Sequence, residues 1–147
     1  ELFGIMKRYL PAYAVEAPKL FRLLVFNYLF SNGDAHLKNF ALQYSPDMKN
    51  IFVSPPFDLT HTLIYASIDN KMALKLAGSK AFPDLSHLIK LAESDQFRIR
   101  NPKAIIESLG ENILDSLRTS NEVQLFDGLR TSIERSISNT MTSRSGT

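Results

Sequence analysis

The sequence predicts a mainly α-helical α+β domain carrying one small β-hairpin, and three observations lead there. A dense apolar run from Leu20 to Phe30 covers most of a helix circumference. Two short apolar-rich stretches, Phe40 to Tyr44 and Ile51 to Val53, flank the turn-forming Ser45-Pro46-Asp47-Met48-Lys49-Asn50. From Asp84 onward apolar residues recur at helical spacing. The 147 residues read as one domain, 1–147, long enough to bury a core.

In chain order, Leu2, Phe3, Ile5, Met6, Tyr9 and Leu10 line a short helix over Glu1 to Leu10 that stops at Pro11. Pro18 marks the first turn of the next helix, where its missing N–H is not needed. There Leu20, Phe21, Leu23, Leu24, Val25, Tyr28 and Leu29 leave little polar surface, so this helix should be the buried spine of the domain, interrupted only by Arg22 and Asn27. Asn32-Gly33, both tolerant of positive φ, should end it. The hairpin follows, and its return brings the chain after Val53 back toward Asn39. Leu63 to Tyr65 and Met72 to Leu76 are further strand candidates around Asp69-Asn70. Asp84 should cap a helix bearing Leu85, Leu88, Ile89, Leu91 and Ala92. Asn101-Pro102 opens another, with Ile105, Ile106, Leu109, Ile113, Leu114 and Leu117 on it to about Arg118, and Gly110 weakens its middle. Asn121 should cap a last helix with Val123, Leu125, Phe126, Leu129, Ile133 and Ile137, after which the Ser/Thr-rich tail, 138–147, has little to bury and should fray.

Composition excludes more than it selects. An apolar fraction of 44%, a charged fraction of 22% and a net charge of +2 are ordinary for a globular chain and give no global electrostatic case for nucleic acid or membrane. Lys90, Arg98, Arg100 and Lys103 gather near one helix start, but Glu93, Asp95 and Glu107 dilute them, so direct reading of DNA is not expected. The longest apolar run falls short of the roughly 20 residues that span a bilayer. The absence of cysteine removes disulfide and thiolate chemistry and fits a reducing compartment, making a cytoplasmic location the expectation.

The chemistry concentrates in Ser31-Asn32-Gly33-Asp34-Ala35-His36-Leu37-Lys38-Asn39, where the apolar run gives way to a polar cluster. Asp34 and Asn39 stand as D-x-x-x-x-N, the spacing by which a kinase catalytic loop offers a carboxylate to a substrate hydroxyl and an amide oxygen to a metal. Asp58, a second carboxylate, follows the hairpin, where a kinase places the metal-binding aspartate that opens its activation segment. Asp34 would orient and deprotonate a hydroxyl, Asn39 and Asp58 would hold Mg²⁺ through hard oxygens, and Lys38 would meet phosphate as a point charge. His36 would contact nucleotide or simply hold the loop. The bland reading is a turn after a helix, with Asp58 capping the next element.

The segment from Asn32 to Phe40 resembles the G-x-x-D-x-H-x-K-N-F catalytic loop of the HipA-like protein kinases of bacterial toxin–antitoxin systems, with Ser31 where that family has glycine. Ser54-Pro55-Pro56-Phe57-Asp58-Leu59 is similar to the family's S-P-x-Y-D-L, with Phe57 in place of the usual tyrosine. The resemblance covers most of the chain and implies a protein-kinase-like C-lobe. Asp34 would be its catalytic base, Asn39 and Asp58 its Mg²⁺ ligands, and His36, Leu37, Lys38, Asn39, Phe57 and Asp58 its nucleotide-side residues. It implies ATP-dependent phosphorylation of a protein serine or threonine, with a DNA-binding antitoxin and a protein substrate as partners and no membrane. No glycine-rich phosphate loop or strand with a nucleotide lysine lies in the sequence, so the chain reads as a C-lobe alone, expected to be inactive in isolation. It would be a cut fragment, a natural truncation, or one part of a split kinase whose N-lobe is a separate polypeptide. A rival reading is a non-catalytic, kinase-like module that binds an antitoxin or substrate. A metal hydrolase using His36, His61 and His87 fits less well, because zinc sites commonly bring two ligands close in sequence and these histidines are 25 or more residues apart.

Overall fold

Helix α2 (Tyr13–Leu29) is the axis on which the other elements pack, as its apolar circumference requires. Leu20, Phe21, Val25 and Leu29 are wholly buried, each contributing on the order of 1.5–3 kcal/mol of transfer free energy. The computed structural model describes residues 2–65, 67 and 69–142. In order they form α1 (Leu2–Tyr9), α2, β1 (Leu42–Tyr44), β2 (Ile51–Val53), α3 (Leu85–Glu93), α4 (Pro102–Thr119) and α5 (Leu129–Met141), a mainly helical α+β arrangement around one hydrophobic cluster. Helices α4 and α5 and strand β2 all pack against α2. No helix among the described residues is long and apolar enough to cross a membrane.

Pro18 lies inside α2 rather than in its first turn. The helix starts earlier because Glu16, only 5% exposed, is needed within it: its Oε2 accepts the Val53 N–H at 2.8 Å and its Oε1 takes Lys19 Nζ at 2.6 Å, fastening β2 to the helix. Pro18 deprives only the Ala14 carbonyl of a partner, and Ala14 is exposed, so water can replace the lost bond. The other end of α2 also differs from expectation. The left-handed residue is Ser31 (φ 51°), not Asn32 or Gly33. The Ser31 N–H reaches the Tyr28 carbonyl and the Asn32 N–H the Asn27 carbonyl at 2.8 Å, the paired closure of a Schellman cap.

The hairpin is antiparallel with Leu42 opposite Val53, Gln43 opposite Phe52 and Tyr44 opposite Ile51. It is shorter than predicted at its start, because Phe40 and Ala41 carry the chain out of the preceding turn, although Ser54 N–H still reaches the Ala41 carbonyl. Leu63 to Tyr65 and Met72 to Leu76 form no strand. A turn with positive φ at Ala77 and Gly78 leaves only an isolated bridge between Leu76 and Ser79.

Asp84 caps α3 as expected, accepting the His87 N–H at 2.9 Å. Pro102 opens α4, whose Gly110 lets α5 come close: a Cβ there would lie 2.8 Å from Met141 Cε. The last predicted helix is split in two. Asn121 precedes only a 3-10 turn over Glu122–Leu125, and α5 begins after Gly128 (φ 78°). This leaves Leu125 and Phe126 exposed instead of on the buried face. Helix α5 runs to Met141 with Ile137 and Thr140 buried, while 143–147 of the tail and Glu1 lie outside the described residues.

Candidate active site

The Schellman cap delivers the chain into a short irregular loop and then a 3-10 turn over Leu37–Asn39. Asn39 is 7% exposed, and its Oδ1 accepts the His36 N–H at 3.0 Å. A main-chain N–H can only donate, so this bond fixes which way the amide faces. Its Nδ2 then donates to Asp58 Oδ2 at 2.7 Å. Two side chains 19 residues apart in sequence thus share one small volume, as the hairpin between them allows. Asp58 is solvent-exposed, has φ 53°, and is paired with no cation among the described residues. A non-glycine residue in that region is uncommon and is held there by its surroundings.

Asp34 is exposed one turn earlier, its backbone N–H donating to Asn32 Oδ1 at 3.2 Å. It lines a cavity of about 450 Å³ whose walls include Gly33, Thr60, Thr62, Lys71 and Lys80. Lys38 is exposed and forms no ion pair with a described residue. Leu37 is half-buried against a different hollow, beside Leu24 and Tyr28, and Phe57 is 42% exposed. His36 Nδ1 is buried without a hydrogen-bond partner. Asn39 and Asp58 offer the hard oxygen donors that a divalent cation such as Mg²⁺ takes.

Sequence reasoning missed the residues that hold this loop. Asn32, 1% exposed, donates to Asn27 Oδ1 at 2.7 Å, and Asn27 donates onward to the Leu23 carbonyl. From the other side come Thr60, His61 and Thr62. Thr60 Oγ1 donates to Asn32 Oδ1, and Thr62 Oγ1 donates to the Ser31 carbonyl while accepting the Gly33 N–H, each at 3.0 Å. His61 Nδ1 lies 2.7 Å from the Phe30 carbonyl and Nε2 2.7 Å from Ser132 Oγ. Since a carbonyl only accepts, Nδ1 carries the proton and Nε2 accepts from the serine. Burial holds the His61 imidazole below its ordinary titration range, with the Phe30 bond opposing more weakly. The available signals were Asn27 inside an apolar run and three polar residues directly after Asp58-Leu59.

The three histidines do not converge. His61 is committed as above, His87 Nδ1 sits 2.7 Å from Asp84 at the start of α3, and no three acidic, histidine or cysteine side chains gather as a metal group among the described residues. In the basic cluster Arg98 pairs with Asp95 and Lys103 with Glu107.

A profile of the HipA-like C-terminal domain matches residues 1–117. The chain belongs to that family. The matched part of this HipA-like domain includes α1 to α3, most of α4 and the whole Asp34–Asn39–Asp58 region, leaving α5 outside. It is 32% identical over 103 residues to the "Putative kinase Y4dM" of Sinorhizobium fredii (strain NBRC 101917 / NGR234), covering 67% of this chain and 24% of the relative. It is also 32% identical over 76 residues to the "Putative kinase Y4mE" of the same organism, covering 52% of this chain and 18% of the relative. The aligned segments therefore span a quarter or less of these relatives' lengths, and both relatives are named as putative kinases.

Proposed function

We propose that this chain is the C-lobe of a HipA-like, ATP- and Mg²⁺-dependent protein serine/threonine kinase, the toxin of a toxin–antitoxin pair. The observation that carries the reading is the 2.7 Å contact between Asn39 and Asp58, with the exposed Asp34 on the adjoining turn. Phosphoryl transfer asks little covalent chemistry of a protein; it needs a nucleophile oriented, a metal held and charge neutralised. Asp34 lies open to a cavity able to admit a serine or threonine hydroxyl, whose proton its carboxylate would accept. Asp58 supplies a carboxylate oxygen. Asn39 Oδ1 keeps a second lone pair beyond the one facing His36 N–H, so an amide oxygen can join it. Asn39 and Asp58 would hold Mg²⁺, whose charge would offset that of the phosphate groups. Lys38, unpaired among the described residues, would add charge toward phosphate, and His36 and Phe57 would lie on the nucleotide side. A DNA-binding antitoxin, a protein substrate and an N-lobe, on the same or a separate polypeptide, complete the proposed assembly, placed in the cytoplasm.

Binding of Mn²⁺ with ATP, followed by water proton relaxation, tests the site. Asp58→Asn and Asn39→Ala should each weaken Mn²⁺–ATP binding by about tenfold, the loss of one charged or dipolar ligand, whereas Asp34→Asn should leave it within about twofold of the original. Equal binding by the original chain, Asp58→Asn and Asn39→Ala would overturn the assignment.

A further inference from the structure

The two carboxylates of the proposed site sit on separate stretches of chain, and their separation must be set by something other than the single Asn39–Asp58 bond. Asp34 ends the segment Phe30-Ser31-Asn32-Gly33, and Asp58 is followed by Leu59-Thr60-His61-Thr62. These segments are joined residue by residue. Thr60 bonds Asn32, His61 bonds the Phe30 carbonyl, and Thr62 bonds Ser31 through both its backbone N–H (3.2 Å) and its hydroxyl while accepting the Gly33 N–H. The contact is mostly dry: His61 is 6% exposed, Thr62 7%, Ser31 2% and Asn32 1%. Hydrogen bonds in such a place are electrostatically stronger than on the surface and costly to leave unmade.

Gly33 shows how close the approach is. A Cβ there would stand 2.6 Å from Thr62 Oγ1 and 2.9 Å from the Lys71 carbonyl, and the Gly33 carbonyl accepts the Ala73 N–H. The turn before Asp34 is therefore enclosed by the chain that follows Asp58. Ser132 on α5, outside the segment shared with the family profile, secures the far side of His61.

We propose that Thr60, His61 and Thr62 form a positioning clip that fixes the distance between Asp34 and the Asn39–Asp58 pair, so that the hydroxyl-activating carboxylate and the metal-holding groups move as one body. This rests on the functional reading given above. Within it these three residues are positioning residues, since none is assigned contact with the reacting atoms. Displacement of a reacting group by about 1 Å can cost a hundredfold in rate, so a short, buried link between the two arms has a direct chemical consequence.

The test uses the whole 147-residue chain and amide NMR, with Mn²⁺ alone as the probe. In the unaltered chain Mn²⁺ should broaden, through space, the Asn39 and Asp58 amides and the Asp34 amide on the same loop. In Thr62→Val, close in shape but without the hydroxyl, broadening at Asn39 and Asp58 should persist while that at Asp34 changes, because it depends steeply on a distance the clip no longer fixes. Hydrogen exchange at Asp34 and His36, measured without metal, should quicken by roughly fivefold or more. Thr62→Ser should restore both readouts. A folded Thr62→Val with Asp34 broadening and exchange unchanged would overturn the clip. Should Thr62→Val not fold, Thr60→Val, at a more exposed position, is read in the same way. Absence of broadening at Asn39 and Asp58 in the unaltered chain would reject the metal-site reading instead, and the exchange measurement would still decide the clip.

Discussion

Ser31 occupies the one left-handed position that closes α2, and an L-residue there carries a conformational penalty of roughly 1–2 kcal/mol that glycine avoids. Glycine loses more chain entropy on folding, so Ser31→Gly is expected to raise stability by no more than about 1 kcal/mol, measured by urea unfolding. The penalty persists because the paired closure at Tyr28 and Asn27, together with Thr62, fixes the backbone. His61 gives the loop a pH signature. Its folded-state titration lies below the ordinary 6.5, so the unfolded chain binds the proton first. The stability tied to the neutral imidazole is thus fully present above about pH 6.5 and is lost as pH falls from there toward the lower folded value. Urea unfolding between pH 8 and pH 5 should show this fall, and His61→Asn, which cannot titrate, should flatten it. A slope unchanged by the substitution would assign the pH dependence to other groups. Neither effect was legible from composition or spacing, since Thr62 lies 31 residues from Ser31 and the His61 partners Phe30 and Ser132 lie 31 and 71 residues away.

At the scale of elements, Asp84 is the clearest local signal made good. Its carboxyl is held down to about 2, first by the His87 N–H and then by the Ser86 hydroxyl, and Asp84→Ala should cost about 1 kcal/mol at neutral pH. Because the folded value is depressed, that contribution is present above the unfolded value near 3.9 and fades as pH falls through the folded one. Thermal unfolding of the original chain and Asp84→Ala should therefore differ at pH 7 and converge below pH 2. Local chemistry made α3, α4 and the hairpin legible: a cap, a proline at the first turn, and two short runs around a turn. It failed where tertiary contacts override it. Pro18 is tolerated inside α2 because Glu16 must reach β2, and the helix expected from Asn121 breaks because Gly128 redirects the chain into α5. Of the site, the meeting of Asn39 with Asp58 could be read from the hairpin between them. The Thr60–Thr62 contacts could not, because hydroxyl-to-backbone bonds leave no periodic trace in a sequence.

For the whole molecule the governing quantity is how much of the proposed reaction these elements can supply. Bringing reactants into register contributes about 7–11 kcal/mol in well-oriented systems, and phosphoryl transfer depends on that term more than on covalent chemistry. In the proposed reading Asp34 would take the hydroxyl proton and Asn39 and Asp58 would give two oxygens to a metal, but none of the described elements is a glycine-rich loop folded over phosphates. The aligned segments cover 24% and 18% of the two relatives, so the remaining positioning groups have ample chain in such proteins to come from. The domain has its own buried core running from α1 to α5, which predicts that it folds alone with a cooperative urea transition. Incubated alone with Mg²⁺, labelled ATP and a protein acceptor, it should transfer little or no phosphate. Adding a polypeptide that carries the glycine-rich loop and its lysine should raise transfer, and Asp34→Ala should abolish the gain while leaving the urea midpoint nearly unchanged, since Asp34 is exposed and its side chain supports no packing. Vigorous phosphorylation by the domain alone, removed by Asp34→Ala, would mean that these 147 residues already clamp the phosphates and that the proposed need for a second lobe is wrong.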